Sequence, residues 1–169
     1  MNSLITANLS CLHQGIALLG TLPAGFYTHR CTDVFNSTIG GHMRHNLDHY
    51  DAFVKGFDLG KVDYDARERD AQIETDPEAA IALSRRLIPQ IEALGQADMD
   101  GPLRIRMDDG GDTSWSDTSL RRELQFLLSH TIHHYALIVS IATRYGFCGF
   151  PENFGVAPST LHFHEASGA

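Results

Sequence analysis

The chain has 169 residues, 43% hydrophobic and 20% charged, a composition that predicts one globular domain over residues 1–169. Its formal net charge of −8, without a cluster of lysine and arginine, argues against a nucleic-acid partner. No run of 18 apolar residues occurs, so we expect no membrane span. Three cysteines without CxxC spacing, and a start that lacks the basic region of a signal peptide, indicate a cytoplasmic protein with reduced thiols.

The first part of the chain predicts two helices. Apolar residues recur every three to four positions over residues 3–22, and this pattern ends at a proline. After a connector, Ser37 or Thr38 is a suitable N-cap for a second helix over about Ile39 to Phe57. A polar segment, residues 61–76, then separates the middle elements.

Aspartate followed by proline marks the start of a third helix, with Asp76 as the N-cap and Pro77 in the first helical position. The helical pattern continues to residue 95. The segment after it predicts a short β-hairpin, because apolar residues alternate on one side of two adjacent glycines and the chain then resumes an extended pattern. The residues that carry this pattern are Leu103, Ile105, Met107, Gly110, Gly111, Thr113 and Trp115.

The longest periodic stretch predicts a fourth helix, which begins around Thr118 or Ser119 and continues to about Tyr145. The tail from about residue 147 contains two prolines and is expected to be irregular. Four long helices and one short hairpin predict an all-α fold. We expect an up-and-down four-helix bundle with the β-hairpin inserted before the last long helix.

Histidine is the unusual residue of this chain, since six of its ten copies lie in two short windows. One window, "SHTIHHYALI", lies in the fourth helix, where His130 and His134 project from one face and His133 is turned away. Such a pair commonly supplies two imidazole ligands to one metal ion, and imidazole suits Zn, Ni, Fe or Cu better than Mg or Ca. The alternative is that each ring is a core residue bonded to a neighbouring hydroxyl or carbonyl.

The other window, "GGHMRHNLDHYDAF", places His42, His45 and His49 in a single stripe on the second helix. The apolar arc of this helix favours His42 or His49 as the inward group. His45 lies further toward the polar side and stays open as a ligand, because metal ligands often occupy the rim of a bundle. Three imidazoles from two helices, with positions left for water, are typical of a catalytic metal site.

The strings "STIGGHMRH…LDHYDAF" and "SLRRELQFLLSHTIHHYALI" resemble the two signatures of the DinB-like (DinB/YfiT-like) metalloprotein superfamily. The resemblance implies a four-helix bundle with a three-histidine site for a divalent metal, and often a homodimer. Carried over by position, it implies that His45, His130 and His134 are the metal ligands. His49 is the substitute for His45, or a nearby proton-carrying group.

Further residues are candidates for supporting roles. His42 is expected to pack inward, in contact with a ligand, and Asp48 or Glu123 to accept the second N–H of a ligating imidazole. The weaker candidates are His162 and His164 as a chelating pair, Trp115 at the pocket mouth or against the bundle, and Tyr50 and Tyr135 as hydroxyl donors or core residues.

The leading functional hypothesis is a metal-dependent enzyme, because the resemblance implies thiol chemistry for several branches of the superfamily. The metal, Zn or Ni with Fe as a further candidate, would hold a low-molecular-weight thiol for transfer to a small electrophile. The alternatives are a hydrolase that uses metal-bound water and a non-enzymatic, stress-associated metal-binding bundle. The expected partner is a small-molecule substrate, with no nucleic acid and no membrane.

Overall fold

The computed structural model describes residues 2–32, 36–108, 110–111 and 114–167. Within these ranges the helices are α1 (Ser3–Leu19), α2 (Ile39–Phe57), α3 (Ala71–Thr75), α4 (Pro77–Ala93), α5 (Leu120–Arg144) and α6 (Pro158–Ser167). The strands are β1 (Lys61–Asp63), β2 (Pro102–Arg106) and β3 (Ser116–Ser119). The chain is therefore mostly helical with one small sheet, and the four predicted long helices are all present.

Three of the long helices begin at side-chain caps that the sequence predicts. Thr38, Asp76 and Ser119 each accept a hydrogen bond from a backbone N–H two or three residues further on. Of the alternatives at the start of α2, Thr38 rather than Ser37 is the cap, and at the start of α5 it is Ser119 rather than Thr118. These caps fix the helical phase of the two histidine windows.

The long helices enclose one apolar core. α1 packs against α4 and α5, and α2 packs against the same two helices. Each large apolar side chain that is buried in such a core contributes about 1.5–3 kcal/mol. The fully buried members include Ile5, Leu18, Phe53, Leu87, Ile91, Leu124, Leu127 and Ile138. The α2–α5 contact brings the two histidine windows to one place.

The sheet contains the predicted hairpin and one strand that the sequence does not predict. β2 and β3 pair antiparallel, with Leu103 opposite Thr118, so the hairpin is confirmed. Thr113, which was part of the predicted pattern, lies outside the described residues. β1 comes from the polar segment and pairs parallel with β2, and its only buried residue is Val62. A three-residue strand with one apolar residue gives no periodic signal, and its partner lies far along the chain.

Two helices, α3 and α6, lie where the sequence predicts none. α3 is a single short turn inside the polar segment, capped by Asp70. The prediction of an irregular tail is wrong for Pro158–Ser167, which forms α6. Proline is well tolerated in the first turn of a helix, so Pro158 marks the start of α6 rather than a break in the chain.

The start of α2 lies directly against α3. A Cβ atom on Gly40 would lie 2.0 Å from the carbonyl oxygen of Glu74 and 2.9 Å from the ring of Tyr27. The Tyr27 hydroxyl donates to the carbonyl of Ile73 at 2.6 Å, which fixes α3 in this position. Only glycine permits this approach, which accounts for the glycine that follows the cap and Ile39.

α5 is long and apolar enough, by length and composition, to cross a membrane. A helix in the core of a folded domain passes the same test, and α5 packs along α1 and α2. It also carries the buried Glu123 and the partly buried His130 and His134 among its apolar residues. Its apolar character is therefore explained by the core of this fold.

Candidate metal centre

The two histidine windows meet where α2 packs against α5. His42, His45 and His49 on α2 form one cluster with His130 and His134 on α5. Neighbouring ring centroids in this cluster are 4.4–5.1 Å apart. The prediction that imidazoles from two helices converge is therefore supported by the side-chain positions.

Two rings of the metal-ligand candidates approach each other closely across the helices, since Nε2 of His45 and Nε2 of His130 are 3.0 Å apart. Two imidazole nitrogens on one tetrahedral Zn²⁺, each about 2.0–2.1 Å from it, lie about 3.3 Å from each other. His49 completes a group of three whose ligand atoms all lie within 4.8 Å of one another. For all three nitrogens to bind one ion, each distance between them would have to become about 3.3 Å, a change of at most about 1.5 Å. The three-histidine group could therefore hold a divalent metal.

His49 is fixed in the tautomer that a metal ligand requires. Its Nδ1 lies 2.7 Å from the backbone carbonyl of His45. A carbonyl can only accept, so Nδ1 carries the proton and Nε2 keeps its lone pair. Ligating imidazoles are commonly oriented by such a second hydrogen bond.

His134 lies beside this group, with its ring centroid 4.6 Å from those of His45 and His130. Its Nδ1 is 2.8 Å from Nδ1 of His42, and one proton lies between the two nitrogens. If Nε2 of His134 is a ligand, the proton of that ring is on Nδ1 and His42 accepts it. His42 is then the group that orients His134, which matches the contact expected for it.

Two buried ring nitrogens, Nδ1 of His130 and Nε2 of His42, have no hydrogen-bond partner among the described residues. An unpaired buried polar atom costs about 1–3 kcal/mol. In each of these rings it is the other nitrogen that faces a neighbouring imidazole, at 3.0 Å for His130 and at 2.8 Å for His42. A donor set of imidazole nitrogen fits Zn, Ni, Fe or Cu and does not fit Mg or Ca.

Burial keeps these imidazoles neutral at pH 7. It is the main cause that lowers the pKa of His130 to about 2 and of His45 to about 3, and neighbouring histidines lower both further. Burial also lowers the pKa of His49 and of His134 to about 4. The hydrogen bond to the His45 carbonyl partly opposes this shift in His49. Neutral imidazole is the form that binds a metal ion.

Arg67 is a cation near the cluster that the sequence analysis missed. Its charge lowers the pKa of both His45 and His49. Its guanidinium donates to the carbonyl oxygen of Tyr64, whose ring centroid is 5.4 Å from that of His49. Arg67 lies in the unpatterned polar segment, so no periodicity could have placed it there.

The two carboxylates expected to orient a ligand bond to other groups. Asp48 accepts from Arg44 at 2.8 Å, and Glu123 accepts from Tyr64 at 2.8 Å and from Thr118 at 2.7 Å. Burial raises the pKa of Asp48 to about 6, although Arg44 opposes the shift. Other groups take the orienting role expected of these carboxylates. The backbone carbonyl of His45 orients His49, and the ring of His42 orients His134.

The remaining candidates lie away from the centre. His133 is exposed, as predicted for the residue turned away from the pair. His162 and His164 are exposed on α6. The hydroxyls of Tyr50 and Tyr135 donate to buried acceptors on α1, so both tyrosines are core residues.

Fold and site together define a helical domain with a histidine cluster between its second and last long helices. Residues 13–138 match the sequence profile of the DinB superfamily, and this chain belongs to that superfamily. The matched span contains both histidine windows.

Two known proteins show the extent of the likeness. The fold is similar to that of YjoA, a DinB-like protein from Bacillus subtilis, with a TM-score of 0.62 and 16% identity, over 92% of this chain and 100% of that one. FK506-binding protein 5 of Rhizopus delemar is 35% identical over 103 residues, which are 59% of this chain and 26% of that protein. The chain thus spans about a quarter of the length of this curated relative.

Proposed function

We propose that this chain binds a divalent transition metal between α2 and α5 of an up-and-down four-helix bundle. The ligands are His45, His130 and His134, with His49 as the substitute. The observation that carries this proposal is the 3.0 Å approach of Nε2 of His45 and Nε2 of His130 from two different helices. Zn or Ni is the expected metal, followed by Fe, because three imidazoles accept each of them.

A pocket of about 270 Å³ gives solvent access to the cluster. His42, His45 and His134 form part of its lining, and the start of α2 around Thr38 and Gly41 forms another part. A small molecule can therefore reach the histidines while the helices stay packed. Such access suits a reacting site better than a purely structural one.

We infer that the site serves a metal-dependent enzyme that activates a low-molecular-weight thiol for transfer to a small electrophile. A bound metal would supply a nucleophile at neutral pH by lowering the pKa of a thiol or water. The residues of the chain hold neutral nitrogen toward the ion, so its positive charge is not cancelled and an anionic thiolate is favoured. The same arrangement would serve a hydrolase, which is the alternative function.

We further propose a cytoplasmic protein that forms a homodimer. The compartment is supported by the cysteines, since Cys11 and Cys31 are buried free thiols and Cys148 is an exposed one. Free thiols are typical of reducing compartments. The homodimer is what the resemblance to the superfamily implies, and sedimentation of the purified protein tests it.

Metal analysis of purified variants tests the ligand set. Wild-type protein should carry stoichiometric metal, and His45→Ala and His130→Ala should each lose it. Loss in His134→Ala supports the third ligand, whereas retention in His45→Ala with loss in His49→Ala assigns His49 in place of His45. His133→Ala is the matched control, because His133 is exposed and one residue away. A wild-type protein that binds no Zn, Ni or Fe would refute the proposal.

Thiol activation is tested with cobalt in the site. Glutathione, bacillithiol or mycothiol should each be added to the cobalt form, and a thiolate ligand should change its visible spectrum. If none does, thiol transfer is refuted, and turnover of activated esters or amides then tests the hydrolase. If chelation raises or lowers the melting temperature while no substrate turns over, the non-enzymatic alternative gains support.

A further inference from the structure

A second cavity, of about 420 Å³, lies between the second half of α2, β1 and the residue before β3. None of the described residues that line it is a histidine. Its apolar surface comes from Ala52, Gly56 and Leu59 on the α2 side and from the ring of Trp115 on the sheet side. Leu59 is 71% exposed at the rim. The volume lies within the range of about 300–1,000 Å³ that is typical of small-molecule sites.

The charges around this cavity are unevenly paired. Lys55 pairs with Asp51 at 2.7 Å, and Arg106 pairs with Asp63. The other two cations of the lining, Lys61 and Arg67, form no ion pair with a carboxylate in the part of the chain that the structure describes. The described lining holds four cations against three carboxylates, Asp51, Asp63 and Glu68, and this excess of one positive charge favours an anionic occupant.

Arginine donors in the lining are also left unused. The Nε atoms of Arg67 and Arg106 are buried and have no hydrogen-bond partner among the described residues. Arg67 is tied at one end by its bond to the Tyr64 carbonyl. The Arg106 guanidinium and the Lys61 ammonium lie 5.3 Å and 5.7 Å from the centre of the Trp115 ring. The cations and the aromatic surface are therefore next to each other.

We propose that this cavity binds a small organic anion, made of a carboxylate on a planar apolar body. Lys61 and Arg67 bind the carboxylate, since charge-assisted hydrogen bonds to guanidinium and ammonium are the strong ones. The planar body packs on Trp115 and on the apolar surface of α2, because an aromatic face gains both burial and stacking. The proposed anion contacts no histidine and needs no metal. Because Arg67 also lies near the histidine cluster, its role is tested in metal-free protein.

Trp115 is the only tryptophan of the chain, so its fluorescence reports directly on this cavity. The protein is titrated in EDTA with 4-nitrobenzoate and, separately, with the neutral analogue 4-nitrobenzyl alcohol, and calorimetry supplies a second reading. We expect saturable quenching by the carboxylate and binding of the alcohol weaker by at least about tenfold. Equal binding of both probes, or no saturable signal, would overturn the proposal.

Variants then locate the anion. Arg67→Met should weaken 4-nitrobenzoate binding by about tenfold or more, and Lys61→Met is the second variant if the first does not fold. Arg85→Met, an exposed change on α4, is the matched control and should bind like wild type. Unchanged binding in the folded Arg67 and Lys61 variants would refute the site. Binding that is present with metal and lost in EDTA would place the anion on the metal and also refute it, whereas failure of the metal proposal leaves this titration unaffected.

Discussion

Mild acid should strongly destabilise the metal-free protein, because four clustered imidazoles stay neutral in the folded state. Burial lowers the pKa of His49 and His134 to about 4, of His45 to about 3 and of His130 to about 2. In the unfolded chain each pKa returns to about 6.5. Between pH 6.5 and about 4 the unfolded chain therefore binds protons that the folded protein does not. The free energy of unfolding must then fall as the pH is lowered through this window.

The size of the effect follows from these pKa values. At pH 5 each ring contributes a loss of about 2 kcal/mol, because one pKa unit is worth about 1.36 kcal/mol. The four rings together give about 8 kcal/mol. Asp48 acts in the opposite direction, since burial raises its pKa to about 6 and the folded protein gains that proton first. This offsets about 1 kcal/mol, so the net loss is a large part of the 5–15 kcal/mol that holds a typical domain folded.

Urea unfolding of EDTA-treated protein, followed by circular dichroism at pH 7, 6 and 5, measures this loss. His49→Asn is the informative variant, because it removes one titrating ring and its side-chain amide can still donate to the His45 carbonyl. Its stability should fall by about 2 kcal/mol less than that of wild type between pH 7 and pH 5. A wild-type loss below about 2 kcal/mol would refute the argument, since the rings would then be protonated in the folded state.

Three further substitutions test other contacts. His42→Phe should weaken metal binding by about tenfold to a hundredfold, measured by chelator competition. His42→Asn keeps an acceptor for His134, so its metal affinity should stay near that of wild type. Equal effects of the two substitutions would contradict the orienting role of His42. Gly40→Ala should cost about 2–3 kcal/mol in urea unfolding and the neighbouring Gly41→Ala less than about 1, and similar values would contradict the close approach of α3. Tyr64→Phe should cost about 1–3 kcal/mol by leaving one oxygen of a buried carboxylate without its donor, and an unchanged midpoint would contradict that bond.

The parts of the fold that could be predicted are those with local signals. The long helices carry apolar periodicity, and Thr38, Asp76 and Ser119 are caps whose chemistry acts within three residues. β1 and α3 could not be predicted in the same way. Each is short, and each is stabilised by a partner far along the chain, β2 in one case and the start of α2 in the other.

The site shows the same division. The spacing of His130 and His134 places both on one helical face whatever the rest of the chain does. The helical wheel, by contrast, could not choose among His42, His45 and His49, because the choice depends on where α5 lies relative to α2. The structure buries His42 and His49 and places the partly buried His45 in contact with His130. All three rings lie in the cluster, so the expectation that a single histidine of α2 points inward was too narrow.

The parallel pairing of β1 has a consequence for the order of folding. Asp63 and Arg106 lie opposite each other although they are 43 residues apart in the chain, so α3 and α4 must be traversed before the strands can join. Contacts of such long range form late, because closing the loop precedes any gain from the pairing. Lys61 and its neighbours in β1 also form one wall beside Trp115. A molecule held by that wall would therefore slow unfolding and leave the rate of refolding almost unchanged.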